Sequence, residues 1–235
     1  MQQFGPLLVN MAADVCRNAS VPVSLHLDHC QSVELVKYAA TLPFDSIMVD
    51  MSHHEKAENL RLTRELTELC HARGIATEAE PGRIEGGEDG VKDTAELEGV
   101  ITTEDVAREF LDTGIDFLAP AFGNVHGEYG PKGPRPFLQL DRLQQVYQAT
   151  KGKAELVLHG SGGFSEDIYR DCVERGVTKI NVNVQLVEPW SEMMKARTNF
   201  VPLTSVIEDS IAVFQNEVEK LMDMVGSTGK AGVRR

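Results

Sequence analysis

Short apolar segments alternate with longer segments of helical periodicity along most of this chain. Six apolar segments have the composition of strands, near residues 21–28, 46–51, 75–80, 115–121, 155–159 and 179–184. Between them, apolar residues recur at intervals of three and four, as in residues 6–17, 32–40 and 56–73. Apolar strands separated by helices predict a parallel sheet covered by helices. The alternation alone fits both an open, doubly wound sheet and a closed β/α barrel.

The size and composition of the chain suit one large domain or two small ones. Its 235 residues are 42% hydrophobic, which is enough to bury a sizeable core. Residues 1–225 are predicted to form a single domain, because no linker or low-complexity segment interrupts the alternation. The region from residue 187 onward has a helical pattern with a loop near residues 199–202. Residues 226–235 are predicted to be a disordered tail.

Charge and cysteine usage limit the partners and the compartment. A net charge of −13 disfavours binding to nucleic acid or to an anionic membrane. No apolar run is long enough to span a bilayer, and the pattern of a signal peptide does not follow Met1. The four cysteines are scattered without a C-x-x-C pair, at Cys16, Cys30, Cys70 and Cys172. The sequence therefore predicts a cytoplasmic protein with reduced thiols.

Three histidines fall where predicted strands end: His29 in “LHLDH”, His126 in “APAFGNVHG” and His159 in “LVLHG”. A single histidine at a strand end is usually a polar residue with a local hydrogen-bond partner. Because the ends of parallel strands meet at one rim of the sheet, three such imidazoles favour a zinc site with an open coordination position. Their wide separation in sequence suits ligands supplied by different strands.

Carboxylates are also concentrated at the predicted rim. Asp28 precedes the first of these histidines, and Asp50 ends the strand “SIMVD”, where it is either a cap for the next turn or a site residue. The loop “EAEPGRIEGGEDG” adds five carboxylates, Glu78, Glu80, Glu85, Glu88 and Asp89. Solvated loop charges explain such a run, and so does a mobile, glycine-flanked lid that carries a general base.

Glycine-rich turns at the strand ends provide candidate phosphate sites. “HGSGG” carries Gly160, Ser161 and Gly162 ahead of a predicted helix, where backbone amides can hold an anion. “NVHGEYGPKG” adds Gly127 and Lys132. Glycines are needed in any tight strand-to-helix turn, so each segment alone is a weak signal.

Two amide side chains lie in the last predicted strand. “KINVNV” places Asn181 and Asn183 two residues apart, on the same side of that strand. Amides in this position either hold substrate oxygens or end the strand.

In this order and at these spacings, “LHLDH”, “SIMVD”, “GEDG”, “GNVHG”, “LVLHGSGG” and “KINVN” resemble the class II, zinc-dependent ketose-bisphosphate aldolases. The resemblance covers roughly residues 10–200, and “LDH”, “NVHG” and “LHG” together are its most specific part. It implies a TIM (β/α)8-type barrel that lacks the first two strands in this chain, either as a fragment or as a short gene product. It also implies a homodimer or homotetramer that reversibly cleaves fructose or tagatose 1,6-bisphosphate to dihydroxyacetone phosphate and glyceraldehyde 3-phosphate.

The resemblance further implies roles for individual residues. The three strand-end histidines match the zinc ligands, and a monovalent cation is a second candidate cofactor. Asp28 matches the residue that exchanges a proton with the substrate C4 hydroxyl, and Glu88 matches the base that moves the proton on the dihydroxyacetone phosphate carbon. Asn181 matches the residue that steadies the enediolate, while Asp50 and Glu80 are auxiliary carboxylates. The substrate- and phosphate-binding segments contain Gly127, Gly160, Ser161, Gly162 and Asn183.

Departures from the family pattern leave the substrate open. “HGSGG” stands where “HGGSG” is frequent, which moves the serine by one position. Val184 stands where the family often has a threonine that helps to hold phosphate, and Pro81 and Glu85 stand where leucine and glycine are more usual. An aldolase for a mono-phosphorylated or unphosphorylated ketose is therefore one alternative. A non-catalytic, metal-binding remnant of the barrel is another.

Overall fold

A computed structural model describes residues 5–86, 100–197 and 202–232. Its α-helices are α1 (Gly5–Asn18), α2 (Val33–Ala39), α3 (Lys56–His71), α4 (Glu104–Leu111), α5 (Leu140–Thr150), α6 (Glu166–Glu174), α7 (Val184–Ala196) and α8 (Leu203–Met224). Its strands are β1 (His26–Cys30), β2 (Ser46–Val49), β3 (Ala76–Ala79), β4 (Glu85–Gly86), β5 (Phe117–Leu118), β6 (Val125–His126), β7 (Glu155–Leu158) and β8 (Val177–Ile180).

Six of these strands form one parallel sheet in the order β1-β2-β3-β5-β7-β8. The short strands β4 and β6 form a separate parallel pair. Each strand of the large sheet corresponds to one predicted segment, and a helix connects each strand to its neighbour, as parallel pairing requires. The predicted α/β alternation is therefore confirmed.

The first strand is shorter than predicted. It begins at His26 rather than at residue 21, although the residues before it favour strands. Val21 and Val23 are exposed, and Pro22 between them has no amide hydrogen for a strand ladder. Residues 21–23 therefore lead into the sheet without belonging to it, and contact with β2 begins at Leu25, whose carbonyl accepts from the amide of Ser46 at 3.3 Å.

The last predicted strand also ends early. β8 ends at Ile180, although the backbone amide of Asn181 still donates to the carbonyl of Leu158 at 2.9 Å. Asn183 occupies the N-cap position of α7, whose first residue is Val184. The prediction that Asn181 and Asn183 share one side of a strand is wrong, because the chain turns toward a helix between them.

The inner strands β2 and β3 bury both faces, as expected of a parallel sheet covered by helices, whereas the outer strands β1 and β8 are more exposed. In β2, Ile47 and Val49 belong to a core cluster that includes residues of α2 and α3. Met48, on the opposite face of the same strand, packs with Ala119 and Val157 in a smaller cluster. The face that carries Met48 is therefore the inner face of the curved sheet.

The sheet is strongly curved. Neighbouring strands lie about 4.8 Å apart, so β1 and β8 would be roughly 24 Å apart in a flat sheet of this order. Nevertheless, the side chain of Asn181, directly after β8, lies 2.9 Å from that of Asp28 in β1. The six strands therefore form a half-barrel, and the ends of its two outer strands meet across the mouth.

Helices α7 and α8 pack against each other at the end of the described chain. Within the described ranges, no helix combines the length and the hydropathy needed to cross a membrane. Residues 226–232 contain turns, in which the backbone amide of Ser227 donates to the carbonyl of Met222 at 2.8 Å. The division into a domain of residues 1–225 and a disordered tail stays a prediction.

Candidate active site

A bulge in β1 places Asp28 and His29 together at the mouth of the half-barrel. The strand register shifts between Leu27 and Cys30, where two residues of β1 face a single residue of β2. His29 has a φ of 44°, in the left-handed region that residues other than glycine rarely occupy. An undistorted strand would direct neighbouring side chains to opposite faces. The bulge allows both side chains to reach the mouth.

Three imidazoles converge there. His29 comes from β1, His126 ends β6, and His159 directly follows β7. Nε2 of His29 lies 3.0 Å from Nδ1 of His159, and one ring nitrogen from each of the three residues lies within 4.8 Å of the others. The structure thus brings together the three histidines that the sequence analysis proposed as metal ligands.

Asp50 orients the ring of His29. Its Oδ2 lies 2.9 Å from Nδ1 of His29, and its Oδ1 accepts hydrogen bonds from the backbone amide and hydroxyl of Ser52, at 3.1 and 2.7 Å. Burial would raise the pKa of Asp50, but the hydrogen bonds from His29 and Ser52 hold it well below its ordinary value. Asp50 therefore both stabilises the turn after β2 and fixes one ring of the cluster.

Glu78, one of the five carboxylates of the segment “EAEPGRIEGGEDG” but one without a predicted role of its own, holds the ring of His159 in the same way. Its Oε1 lies 2.8 Å from Nε2 of His159, and its Oε2 accepts a hydrogen bond from Nζ of Lys179 at 2.8 Å. Burial would raise the pKa of Glu78, but His159 and Lys179 lower it to about 2. The available sequence signal was a carboxylate inside an apolar strand, which is unfavourable unless a partner pairs with it.

Asp28 and Asn181 form a pair beside the histidines. Nδ2 of Asn181 donates to Oδ2 of Asp28 at 2.9 Å and lies 3.0 Å from Nε2 of His159. Oδ1 of Asn181 accepts a hydrogen bond from Nζ of Lys179 at 2.6 Å. The side chain of Asp28 is 42% exposed, so its carboxylate is accessible from the mouth.

The other predicted carboxylates lie further along the chain. Glu80, directly after β3, is buried, and its Oε1 accepts a hydrogen bond from the amide of Ile84 at 2.8 Å. Burial and the nearby charge of Asp50 raise the pKa of Glu80 well above its ordinary value. Glu85 contributes its backbone to β4, and Glu88 lies outside the described residues. The role of Glu88 as a base stays a prediction.

A cavity of about 430 Å³ opens between the glycine-rich turns and the start of α7. Two predicted phosphate residues, Gly127 and Gly162, line it, and each lies one to three residues beyond a histidine of the cluster. Val184 and Glu188 line it from α7. The cavity thus combines glycine backbone with apolar and acidic side chains.

The other predicted phosphate residues have defined structural contacts. Gly160 has a φ of 63°, and a Cβ atom there would lie 2.5 Å from the carbonyl oxygen of Val125, so this turn requires glycine. The hydroxyl of Ser161 donates to the carbonyl of Asn181 at 2.9 Å. Asn183 begins α7, as described above. These residues shape the rim beside the cavity.

The charges around the histidines suit a bound cation. Burial would lower the pKa of His29, but Asp50 and Asp28 outweigh burial and raise it to about 9, so this position favours positive charge. Burial and the two neighbouring imidazoles lower the pKa of His126 to about 3, which leaves its ring neutral. His29 and His159 each pair with a carboxylate through the nitrogen that faces away from the cluster, as metal-binding histidines commonly do. These residues fit a divalent metal with three nitrogen ligands.

The fold and the site together define a class of protein. Helices cover a curved parallel sheet, and the polar residues converge where its strands end, which is the arrangement of enzymes built on α/β barrels. The chain matches the family model for fructose-bisphosphate aldolase class-II over residues 2–230. It belongs to the class II fructose-bisphosphate aldolase family, and the resemblance found in the sequence is confirmed.

Relatives with similar sequences carry the names of two kinds of aldolase. A Coccidioides immitis protein, named as a candidate fructose-bisphosphate aldolase, is 54% identical over 98% of this chain and 78% of its own length. The fructose-bisphosphate aldolase of Streptococcus pneumoniae is 34% identical over 90% of this chain and 74% of its own length. The 6-phospho-5-dehydro-2-deoxy-D-gluconate aldolase of Shouchella clausii is also 34% identical, over 90% of this chain and 71% of its own length.

Solved structures agree with the fold. The crystal structure of the Coccidioides immitis protein superposes with a TM-score of 0.94, covering 97% of this chain and 80% of that one. The YdjI aldolase of Escherichia coli K12 is 32% identical and superposes with a TM-score of 0.80, covering 98% of this chain and 79% of that one. The prediction of a TIM-barrel type of fold is therefore confirmed.

Proposed function

We propose that this protein is a zinc-dependent aldolase that reversibly cleaves a ketose 1,6-bisphosphate, of the fructose or tagatose type, to dihydroxyacetone phosphate and glyceraldehyde 3-phosphate. The observation that carries this proposal is the cluster of His29, His126 and His159 beside the carboxylate of Asp28. The family supports an aldolase reaction, and the geometry supports a metal and a proton-transfer group at one mouth.

The three histidines would hold the zinc ion, with Asp50 and Glu78 fixing two of the rings. When bound, zinc supplies a Lewis acid that polarises the ketone carbonyl of the substrate. Buried Glu80 lies near the charges of Asp50 and His29, which supports its proposed auxiliary role.

Asp28 would act as the general base for cleavage. Its carboxylate takes the proton of the C4 hydroxyl as the C3–C4 bond breaks, and the C4 oxygen becomes the aldehyde of the leaving product. The electron pair of the broken bond moves toward the polarised C2 carbonyl. Asn181 donates to Asp28 and holds this carboxylate at the mouth. The resemblance assigns the return of a proton to C3 to Glu88.

The glycine-rich cavity would bind a substrate phosphate through backbone amides. Gly127, Gly160, Ser161 and Gly162 belong to its turns or border them, and Asn183 stands at the start of α7. A monovalent cation remains a second candidate cofactor. An aldolase for a mono-phosphorylated or unphosphorylated ketose is one alternative, supported by Val184 and Glu188 in the cavity and by relatives named for a phosphorylated sugar acid, and a non-catalytic, metal-binding remnant is the other.

The protein would act as a cytoplasmic homo-oligomer, with a role in glycolysis if the substrate is fructose 1,6-bisphosphate. Exposed apolar residues on α8, such as Ile207 and Ile211, support association of copies. Its net charge of −13 supports a small-molecule substrate over nucleic acid or membrane. A mass measurement by light scattering tests the oligomer, and a monomer at working concentration would contradict it.

The test of the main proposal couples metal analysis to cleavage assays on several ketose phosphates. We expect about one zinc ion per chain, loss of cleavage with a chelator, and recovery on adding zinc. His126→Ala should lose most of its zinc, whereas His71→Ala, which removes an exposed histidine paired with Asp116, should keep it. Trapping of substrate on a lysine by borohydride would contradict the metal mechanism. Faster cleavage of a monophosphate than of any bisphosphate would favour the alternative.

A further inference from the structure

Lys179 contacts two parts of the candidate site: the carboxylate that pairs with His159 and the amide that pairs with Asp28. The sequence predicts no role for this lysine. It lies in β8 with a side chain that is 26% exposed. Its ammonium group donates to Oε2 of Glu78 at 2.8 Å and to Oδ1 of Asn181 at 2.6 Å. A lysine ammonium has three donors, so one group can satisfy both acceptors at once.

The first contact acts on the histidine cluster. The carboxylate of Glu78 has no exposed surface, and its other oxygen pairs with Nε2 of His159. This pairing keeps Nδ1 of His159 directed toward His29. His26 also lies 3.5 Å from Oε2 of Glu78, but the ammonium group of Lys179 lies closer, at 2.8 Å, so Lys179 is the nearer cationic partner of this oxygen.

The second contact acts on the proton-transfer pair. An amide side chain has one accepting and one donating end, and it can rotate to exchange them. Because Oδ1 of Asn181 accepts from Lys179, Nδ2 is the end that faces Asp28, at 2.9 Å. The opposite orientation would place the amide oxygen against the carboxylate of Asp28 and leave Lys179 facing an amide hydrogen.

We propose that Lys179 is a positioning residue that orients His159 toward the metal through Glu78 and orients Asn181 beside Asp28. It does not touch the reacting atoms. The part that concerns Asn181 and Asp28 rests on the proposed aldolase function. The part that concerns His159 stands on metal binding alone and is tested without any substrate.

The experiment compares Lys179→Met with Lys56→Met. Methionine keeps the length of the lysine stem and removes the charge, and Lys56 forms a surface ion pair of the same 2.8 Å distance with Glu109. Zinc affinity is measured by competition with a chelator, and kcat and KM are measured at saturating zinc. We expect Lys179→Met to weaken zinc binding about tenfold or more and to lower kcat about tenfold or more at a little-changed KM. Lys179→Arg should recover part of both losses, and Lys56→Met should leave both unchanged.

Unchanged zinc affinity in Lys179→Met, or an equal loss in Lys56→Met, would overturn the proposal. If Lys179→Met does not fold, Glu78→Gln is compared with the double variant Glu78→Gln/Lys179→Met. Because Lys179 acts on the metal through Glu78, adding Lys179→Met to Glu78→Gln should leave the zinc affinity of the single variant unchanged. It should still lower kcat, because Lys179 also orients Asn181. A further tenfold loss of zinc affinity in the double variant would overturn the proposal. If the parent protein cleaves no ketose phosphate, the proposed function fails, while the zinc measurements still decide the role of Lys179.

Discussion

At the scale of the residue, several polar groups of the candidate site hold one another in pairs. Asp50 fixes His29, Glu78 fixes His159, and Asn181 donates to Asp28. Such paired groups keep a defined orientation, because breaking one contact would leave a buried donor or acceptor unsatisfied. Asp28 differs from the others because its carboxylate is partly exposed at the mouth. That accessibility makes Asp28 the residue whose substitution should separate chemistry from metal binding.

We predict that Asp28→Asn lowers kcat by roughly 10²-fold or more and leaves the zinc content unchanged. Asparagine keeps the shape of the side chain but cannot take the proton of a hydroxyl group. Steady-state kinetics together with elemental analysis of the same sample provide the measurement. Asp105→Asn, at an exposed position of α4, is the matched control and should behave like the parent. Turnover of Asp28→Asn within a few-fold of the parent would remove this residue from the mechanism.

Residue type and position in the sequence predict part of this site. Histidines and an aspartate at strand ends indicate that they can meet at one rim, and the structure brings His29, His126 and His159 together beside Asp28. The pairing of Glu78 with Lys179 could not be predicted in the same way, because the two residues lie 101 positions apart and neither ends a predicted strand. Nothing in either local segment identifies the partner.

At the scale of the element, the turns after the strands decide where the site residues lie. β1 contains a bulge, and the turn after β7 contains Gly160, whose backbone has a left-handed conformation and packs against the backbone of β6. Strand propensity predicts neither feature, because a bulge depends on the register with the neighbouring strand. The same limit explains the early end of β8, where Asn183 begins a helix instead of continuing the strand.

We predict that Gly160→Ala destabilises the protein more than Gly152→Ala. Both glycines have a left-handed backbone, with φ of 63° and 75°, so alanine adds about 1–2 kcal/mol of strain at either position. A Cβ at Gly160 would also lie 2.5 Å from the carbonyl oxygen of Val125, whereas nothing lies within 4 Å at Gly152. We expect a further loss of about 1–3 kcal/mol for Gly160→Ala. Urea unfolding measures the free energy of unfolding of both variants. Equal losses would contradict the prediction and show that the turn at Gly160 can relax.

At the scale of the whole molecule, the alternation of strands and helices predicts a parallel α/β fold, but not how far the sheet curves. Curvature depends on how the helices pack on strands that are distant in sequence, and the alternation alone fits a flat sheet as well. The barrel was predicted from the family resemblance and not from the alternation of strands and helices. The predicted reduced thiols also concern the molecule as a whole, because Cys30, Cys70 and Cys172 are buried in different parts of the structure.

Burial of these thiols predicts a loss of stability at alkaline pH. It raises the pKa of Cys30 and Cys70 to about 11 and that of Cys172 to about 12, from 9.0 for a free thiol. The folded state therefore holds these protons more tightly than the unfolded state. The stabilisation is complete below pH 9, decreases from there as pH rises, and is lost above about pH 11 for Cys30 and Cys70 and about pH 12 for Cys172. For Cys172, the loss between pH 9 and pH 10.5 is about 2 kcal/mol.

Urea unfolding at pH 8 and at pH 10.5 measures this dependence. Cys172→Ala should have a pH dependence that is smaller by about 2 kcal/mol than that of the parent. Val146→Ala, at a buried position of the same core cluster, is the control, because it lowers stability without removing a titrating group. It should keep the parent's pH dependence. The prediction fails if both variants depend on pH to the same extent.

The contact between Asn181 and Asp28 links the two outermost strands of the half-barrel. The distance between these side chains therefore depends on the curvature of the sheet, and a slight opening of the half-barrel would separate them before any helix unfolds. A displacement of 1 Å between reacting groups can slow a reaction by about 10²-fold. Substitutions on the outer surface of the helices, far from any ligand, should thus alter turnover in proportion to how much they flatten the curved sheet.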